Sequence, residues 1–281
     1  MIIQKKPINI NINSIEKFWE REYCVFTISS YELSIKNILK YGGAFFDFAI
    51  YVFKNQKLSH YRDPLVQNKM NETISERMVK DKKFRENALR SYIDAGEFLE
   101  KAFKQIEKSK KISSGFIKKY CQFFGDLSAG TLLVQRCPDY LVNKKEHKKL
   151  LDRLINLRKR FEYIFGGVYE KHLDLMLKKI CKDKNIDDFR DLKYLNVSEL
   201  LDYNNFGKLP KDLIDRKKIT IILVSLKKDY KFLLFSGENA QKIFNKIKRI
   251  EQKIKSKKTI EDGQNLIKGL PVYNGRVKGS V

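Results

Sequence analysis

Residues 92–106 read YIDAGEFLEKAFKQI. Tyr92, Ala95, Leu99, Ala102 and Ile106 recur at spacings of three and four, Phe98 and Phe103 widen the stripe, and Glu97, Lys101 and Lys104 fall outside it. A backbone with 3.6 residues per turn places such a set on one face, so the segment predicts an amphipathic helix with one side buried and the other wet. The same periodicity extends from about Asn71 to Lys182 and makes the chain mainly α.

Outward from this helix, Phe116 to Gln135 is more apolar and is interrupted by Gly125 and Gly130. Cys137-Pro138 then predicts an extended step, because proline biases the residue before it away from the helical region. From His147 to Cys181 one stripe carries Leu150, Leu154, Leu157, Phe161, Phe165, Val168, Met176 and Ile180. This predicts a long helix bent at Gly166-Gly167, since glycine weakens a helix interior by about 1 kcal/mol relative to alanine. His172 lies on the stripe and reads as a hydrogen-bonded core histidine, with no carboxylate or second histidine arranged in the sequence to orient it.

Asn196 followed by Glu199 has the form of a capping box, opening a short helix through Leu200, Leu201 and Tyr203 that Gly207 and Pro210 end. Residues 219–225 (ITIILVS) and 230–236 (YKFLLFS) are rich in β-branched and aromatic residues, and the short connection 226–229 between them predicts a β-hairpin. Ser236 is placed to cap a helix whose Ala240, Ile243, Ile247, Ile250 and Ile254 repeat at helical spacing. From Lys242 to Lys258 there are eight basic residues and one acidic residue, Glu251, which reads as the wet face of that helix. The last stretch, residues 267–281 (IKGLPVYNGRVKGSV), is punctuated by Gly269, Gly275 and Gly279, and Val277, Gly279 and Val281 alternate as in the first residues of a strand. A lone terminal strand is marginal, so the expectation is a fragment cut at the entrance to another domain.

At 281 residues, 42% of them hydrophobic, the chain is long enough to bury a core without disulfides or metals to hold it. The net charge of +24 invites a nucleic-acid reading. Only 13 of the 58 basic residues are arginine, the cation that reads guanine and stacks on bases, so a solvated lysine surface is the preferred reading. Cys24, Cys121, Cys137 and Cys181 are widely spaced without a C-x-x-C pair, which argues against a structural zinc site. Residues 1–15 (MIIQKKPINININSI) lack a signal-peptide core, and no run approaches the roughly 18 apolar residues that cross a bilayer. The most apolar stretch, 42–53 (GGAFFDFAIYVF), is short and carries Asp47. A cytoplasmic protein with reduced thiols and no membrane partner is the expectation.

Residues 194–210 (YLNVSELLDYNNFGKLP), then FSGENAQKIF at 235–244, then 267–281 resemble the junction in phosphoenolpyruvate-utilising enzymes, the group of phosphoenolpyruvate synthase, pyruvate phosphate dikinase and rifampicin phosphotransferase. The last of these stretches resembles the Gly-x-x-x-x-x-Gly-x-x-x-Gly-x-Val opening of the family's mobile, swivelling domain, here Gly269, Gly275 and Gly279 as the domain-start hinge. Residues 158–180 (RKRFEYIFGGVYEKHLDLMLKKI) resemble the central region more loosely. The resemblance implies a helical central domain over 1–190, a linker region of helix, β-hairpin and basic helix over 191–260, and the truncated start of the mobile domain over 261–281.

In that family a phosphohistidine on the swivelling domain carries a phosphoryl group between active sites, which needs an imidazole nucleophile and cationic phosphate sites. The carrier histidine follows the glycine-rich opening, so none of His60, His147 or His172 has its context and no catalytic histidine is carried over. No phosphate-cradling loop with a following lysine is legible in 1–190. ATP and Mg²⁺ are implied only for the complete enzyme, and the missing swivelling and nucleotide-binding domains are the expected partners, in cis or in trans. The chain thus reads as part of a phosphohistidine-dependent phosphotransferase, inactive alone. The alternative is a basic helical nucleic-acid-binding module. Neither substrate-binding nor metal residues are assigned. Trp19, Arg21 and Tyr23 (in FWEREYCVF, 18–26) have the residue types for stacking and anion binding, with core packing the preferred role. The periodicity of residues 1–70 is mixed and assigns no element there.

Overall fold

The computed structural model describes residues 2–3, 15–42, 48–184, 188–225 and 231–261. The three glycines Gly269, Gly275 and Gly279, Asp47 and the hairpin connection 226–229 lie outside these residues. The fold is mainly helical, as the periodicity predicts.

The centre is α5 (Ser114–Leu141), which packs against α1 (Val25–Leu33), α2 (Ile35–Gly42), α3 (Pro64–Lys80), α4 (Lys82–Lys108) and α6 (Lys148–Tyr163). A helix with so many neighbours must be apolar on most sides. Accordingly Ile117, Tyr120, Phe124, Leu127, Leu133, Val134 and Leu141 are all buried. The sequence expectation that this helix is interrupted is corrected. It is continuous through Gly125, Gly130 and Pro138. The glycines mark close approaches: a Cβ on Gly125 would stand 2.5 Å from Ser34 Oγ, and one on Gly130 would stand 2.6 Å from Tyr92 Cδ2. Pro138 removes a single backbone donor in the last turn, and the helix closes past it with the Val142 N–H donating to the Pro138 carbonyl at 2.9 Å.

Helix α4 carries the predicted stripe, with Tyr92, Ala95, Leu99, Ala102 and Ile106 buried. Its end is held by Lys179, whose ammonium donates to the carbonyls of Ile106, Glu107 and Ser109. The expected bend appears between α6 and α7 (Tyr169–Lys184), where five residues of wider π-helical turn, Ile164–Val168, contain Gly167 at φ 104°.

The region left unassigned in sequence supplies four of the six strands of a sheet. β2 (Glu16–Arg21), β3 (Phe48–Lys54) and β4 (Lys57–Arg62) join the predicted hairpin strands β5 (Thr220–Ser225) and β6 (Lys231–Ser236), with β1 (Ile2–Ile3) parallel to β6, in the order β1-β6-β5-β3-β4-β2. β3 pairs antiparallel with β5 from Phe48↔Ser225 to Phe53↔Thr220. One sheet therefore joins strands from residues 1–190 to strands from the linker region 191–260. Asn55 and Gln56 turn the β3–β4 hairpin with φ of 52° and 61°, the twist that a two-residue connection requires.

Both faces of the sheet are covered. Ala49, Tyr51, Phe53, Ile222, Val224, Phe232 and Leu234 face the helical core. Ile50, Val52, Ile221, Leu223 and Phe235 face α10 (Gly237–Glu261), which buries Ala240, Ile243 and Ile247 against them. Burial on both sides explains why β5 and β6 read as unbroken apolar runs.

A short 3₁₀ segment (Phe189–Tyr194), α8 (Val197–Phe206) and α9 (Leu213–Lys218) seal the seam between sheet and bundle. The capping box forms as read, Asn196 Oδ1 accepting from the Glu199 N–H and Glu199 Oε2 from the Asn196 N–H. Gly207, at φ 69°, ends α8. At the centre of the seam Arg216, wholly buried, donates to both oxygens of Glu199 at 2.6 and 2.7 Å, to Asp212 Oδ2 at 2.9 Å and to the Tyr194 carbonyl at 3.2 Å. Ser236, expected as a helix cap, donates its hydroxyl to the same Asp212 oxygen at 2.8 Å.

Two stability measurements follow. Arg216→Ala strands two carboxylates in the seam and is expected to cost about 3–5 kcal/mol in denaturant unfolding, with Arg216→Lys recovering only part because one ammonium cannot span both partners. Gly96→Ala would drive a methyl to 2.4 Å from the buried Phe161 ring. A loss of about 1–3 kcal/mol is expected despite alanine's better helix propensity, and an unchanged melting temperature would contradict that packing.

Candidate functional site

A cleft of about 930 Å³ opens where five elements meet. Its walls are the chain from Arg21 to Cys24 leading into α1, the Asn55-Gln56 hairpin tip with Lys57, the Phe165–Gly167 bend, the first turns of α7, and the segment from Asp188 to Tyr194 with Lys217 of α9. The Gly166-Gly167 bend lets α7 start in a new direction. No atom stands within 4 Å of a Cβ built on either glycine, so backbone is exposed at the cleft edge.

The bend brings Glu170, in the first turn of α7, against α1. Thr27 Oγ1 donates to Glu170 Oε1 at 2.6 Å and lies 3.2 Å from Cys24 Sγ. Glu170 Oε2 is buried and has no hydrogen-bond partner. Burial raises the Glu170 pKa to about 7, Asp174 adding to the rise while the Thr27 hydrogen bond and Lys193 oppose it. The cleft therefore holds a carboxyl that changes charge near neutrality. Cys24, buried beside it, is pushed up to about 12 by burial and by Glu170, so its thiol remains protonated and is a poor nucleophile.

Most charges around the cleft neutralise one another. Lys193 meets Asp174 at 2.6 Å, Lys217 meets Asp191 at 2.6 Å, and Arg190 meets Asp188 at 2.9 Å. Arg21, Glu22, Lys57 and Lys171 also line the cleft. Lys171 makes no ion pair among the described residues. Lys57 Nζ stands 4.0 Å from Glu20 Oε1, while Lys17 and Ser59 donate to Glu20 Oε2 at 3.0 and 2.7 Å. Arg21 donates to Tyr23 Oη at 3.1 Å, with its guanidinium 5.6 Å from the Trp19 and Tyr23 ring centres. Tyr23 in turn donates to the Phe165 carbonyl at 3.3 Å, linking the α1 approach to the bend.

The Trp19, Arg21 and Tyr23 group read from sequence thus divides. Trp19 packs edge-on against Tyr23 and His60, at 5.8 and 5.1 Å between ring centres, while Arg21 and Tyr23 line the cleft. None of the three histidines lies there. His60 stacks on Tyr51 at 4.3 Å, with burial pushing its pKa well below the usual value. His147 is at the start of α6, 3.8 Å from Glu146. His172 is the core histidine expected, but a carboxylate does orient it: Glu107 of α4 lies 3.1 Å from Nε2, while Nδ1 is 2.8 Å from the Val168 carbonyl. That partner is 65 residues away and has no sequence signature. Glu170 did leave one, since it stands three residues before Leu173 and seven before Leu177, on the buried side of α7.

Among the described residues no group of three or more His, Cys, Asp or Glu side chains is placed to hold a metal ion, and no helix is long and apolar enough to cross a membrane. All four cysteines are buried free thiols.

Because the Glu170 pKa is raised in the folded state, its contribution to stability is complete below the unfolded value near 4.5 and disappears as pH rises through about 7. Unfolding free energy measured from pH 4.5 to 8 should fall by on the order of 3 kcal/mol from this group, and Glu170→Gln should remove that slope. An identical pH profile in the variant would contradict the assignment.

Comparison with protein-family models, with curated proteins and with solved structures finds no match to this chain.

Proposed function

We propose that the chain is the substrate-side platform of a phosphohistidine-dependent phosphotransferase of the phosphoenolpyruvate-utilising type, and that the cleft holds the phosphate-bearing small molecule. The resemblance of residues 194–210, 235–244 and 267–281 to that family supplies the reaction class. The observation that carries the reading to a place is one cleft lined by six cationic side chains, Arg21, Lys57, Lys171, Arg190, Lys193 and Lys217, beside a carboxyl that titrates near neutrality.

Phosphoryl transfer is catalysed mainly by positioning and by neutralising charge on the phosphoryl oxygens. Arg21, Lys57 and Lys171 suit the second task. The rigid frame around them, tied through Tyr23 to the Phe165 carbonyl and through Thr27 to Glu170, suits the first. Asp174, Asp188 and Asp191 are each engaged by a cation, so this carboxylate set does not fit a Mg²⁺ site. ATP and Mg²⁺ belong in this reading to the domains that complete the enzyme. A cytoplasmic setting accords with four buried thiols.

The test is calorimetric titration of the 281-residue chain with inorganic phosphate and with phosphoenolpyruvate at low salt. Saturable binding is expected, weakened about tenfold in a Lys57→Ala, Lys171→Ala double variant that leaves the thermal midpoint in place. Binding that the double variant retains in full, or no binding of either probe, overturns the reading.

A further inference from the structure

β2 is the end strand of the sheet, and among the described residues only β4 pairs with it. A strand edge offers its backbone N–H and C=O groups to another strand, and charged side chains or a bulge usually blunt it. β2 carries both devices, in an order that is its own complement. Its residues are Glu16, Lys17, Phe18, Trp19, Glu20 and Arg21. Turned end for end against a copy of itself, the strand sets Glu16 against Arg21, Lys17 against Glu20 and Phe18 against Trp19.

Directly opposed residues of an antiparallel pair point to the same face of a sheet, and in a regular strand the faces alternate. A regular strand that pairs with its own copy must therefore pivot on a residue, never between two. On β2 every such register opposes like charges: a pivot on Phe18 sets Glu16 against Glu20, a pivot on Trp19 sets Lys17 against Arg21, and a pivot on a charged residue sets it against itself. The bulge removes this restriction. The ladder passes from Lys17↔Tyr61 to Trp19↔His60, so Phe18 is the extra residue. Lys17 and Glu20 share the α10 face, where they bond at 3.0 Å. Phe18 and Trp19 both turn to the helices: the Phe18 ring lies 3.3 Å from the Arg62 guanidinium and 5.4 Å from that of Arg136 in α5, and Trp19 packs on the helical core. Glu16 and Arg21, opposite Arg62 and Leu58, share that face. Faces and charges thus mirror about the same point, between Phe18 and Trp19. Opposite signs meet at each charged pair whatever each side chain touches within its own chain, and Phe18 brings an aromatic ring that is 39% exposed.

We propose that β2 is a homodimer edge, two copies of the chain pairing it antiparallel about a two-fold axis between Phe18 and Trp19. Glu16 then faces the partner's Arg21, Lys17 the partner's Glu20 and Phe18 the partner's Trp19, and the two sheets become one. Six residues a side make a small contact, of the class that associates weakly and reversibly.

The experiment is sedimentation velocity on the full 281-residue chain at low salt. Wild type is expected to pass from monomer to dimer between about 2 and 200 µM. Lys17→Glu and Glu20→Lys each set two like charges at one pair of the contact, and each alone is expected to dimerise about tenfold more weakly. Mixed in equal amounts they restore opposite charges and should associate as wild type does. Both side chains are more than a third exposed, so the thermal midpoint of each variant should stay in place. Trp19 is the sole tryptophan and stands beside the axis, so its emission in wild type should change over the same concentration range, a readout that needs no variant. A wild type that stays monomeric, dimerisation that leaves Trp19 emission unchanged, single variants that dimerise as wild type does, or a mixture no tighter than its components overturns the proposal.

Discussion

Arg216 is the constraint on which the arrangement of sheet, bundle and cleft depends. A guanidinium with no solvent exposure is tolerable only when its donors are matched, and here Glu199, Asp212 and the Tyr194 carbonyl take them. Each partner belongs to a different piece of chain. Glu199 also closes the capping box that starts α8, Asp212 receives Ser236 from the end of β6, and Tyr194 ends the segment that forms one cleft wall. Burial works against ionised Asp212, but its bonds to Arg216 and Ser236 prevail and hold its carboxyl below the usual range. The seam is thereby fixed by geometry that apolar packing alone would leave free to slide.

The cleft inherits its precision from that seam on one side and from the glycine bend on the other. Gly167 adopts φ 104°, where a side chain would be strained, and this allows α7 to leave the line of α6. Glu170 then faces Thr27, and the Phe165 carbonyl faces Tyr23. Desolvation of Glu170 is the consequence of that fit. Arg21, Lys57 and Lys171 line the cleft beside the ion pairs Lys193–Asp174, Lys217–Asp191 and Arg190–Asp188.

How far these features were legible varied with how local their causes are. The α4 stripe, the bend at Gly166-Gly167, the Asn196 and Glu199 capping box and the β5–β6 pairing each arise within a few residues, and each reads directly. Gly125, Gly130 and Pro138 misled for the complementary reason. Their usual effect on an isolated helix is disruptive, but Ser34 and Tyr92 press close to the glycines, and the buried Cys137 and Leu141 hold the last turn across the proline. β3 hid because its core-facing Ala49, Tyr51 and Phe53 alternate with Ile50 and Val52, which are buried against α10, so no polar alternation marks it.

Periodicity and capping chemistry in the chain were enough to determine a mainly helical protein with a late hairpin and a basic final helix. Only tertiary structure decided that residues 16–62 complete a sheet with residues 220–236, that His172 meets Glu107, and that Glu170 loses its solvent in a cleft. Helical turns and caps depend on neighbours within about four residues, which a linear text displays. Strand pairing, desolvation and the matching of charges depend on groups brought together from distant parts of the chain, and those exist only once it has folded.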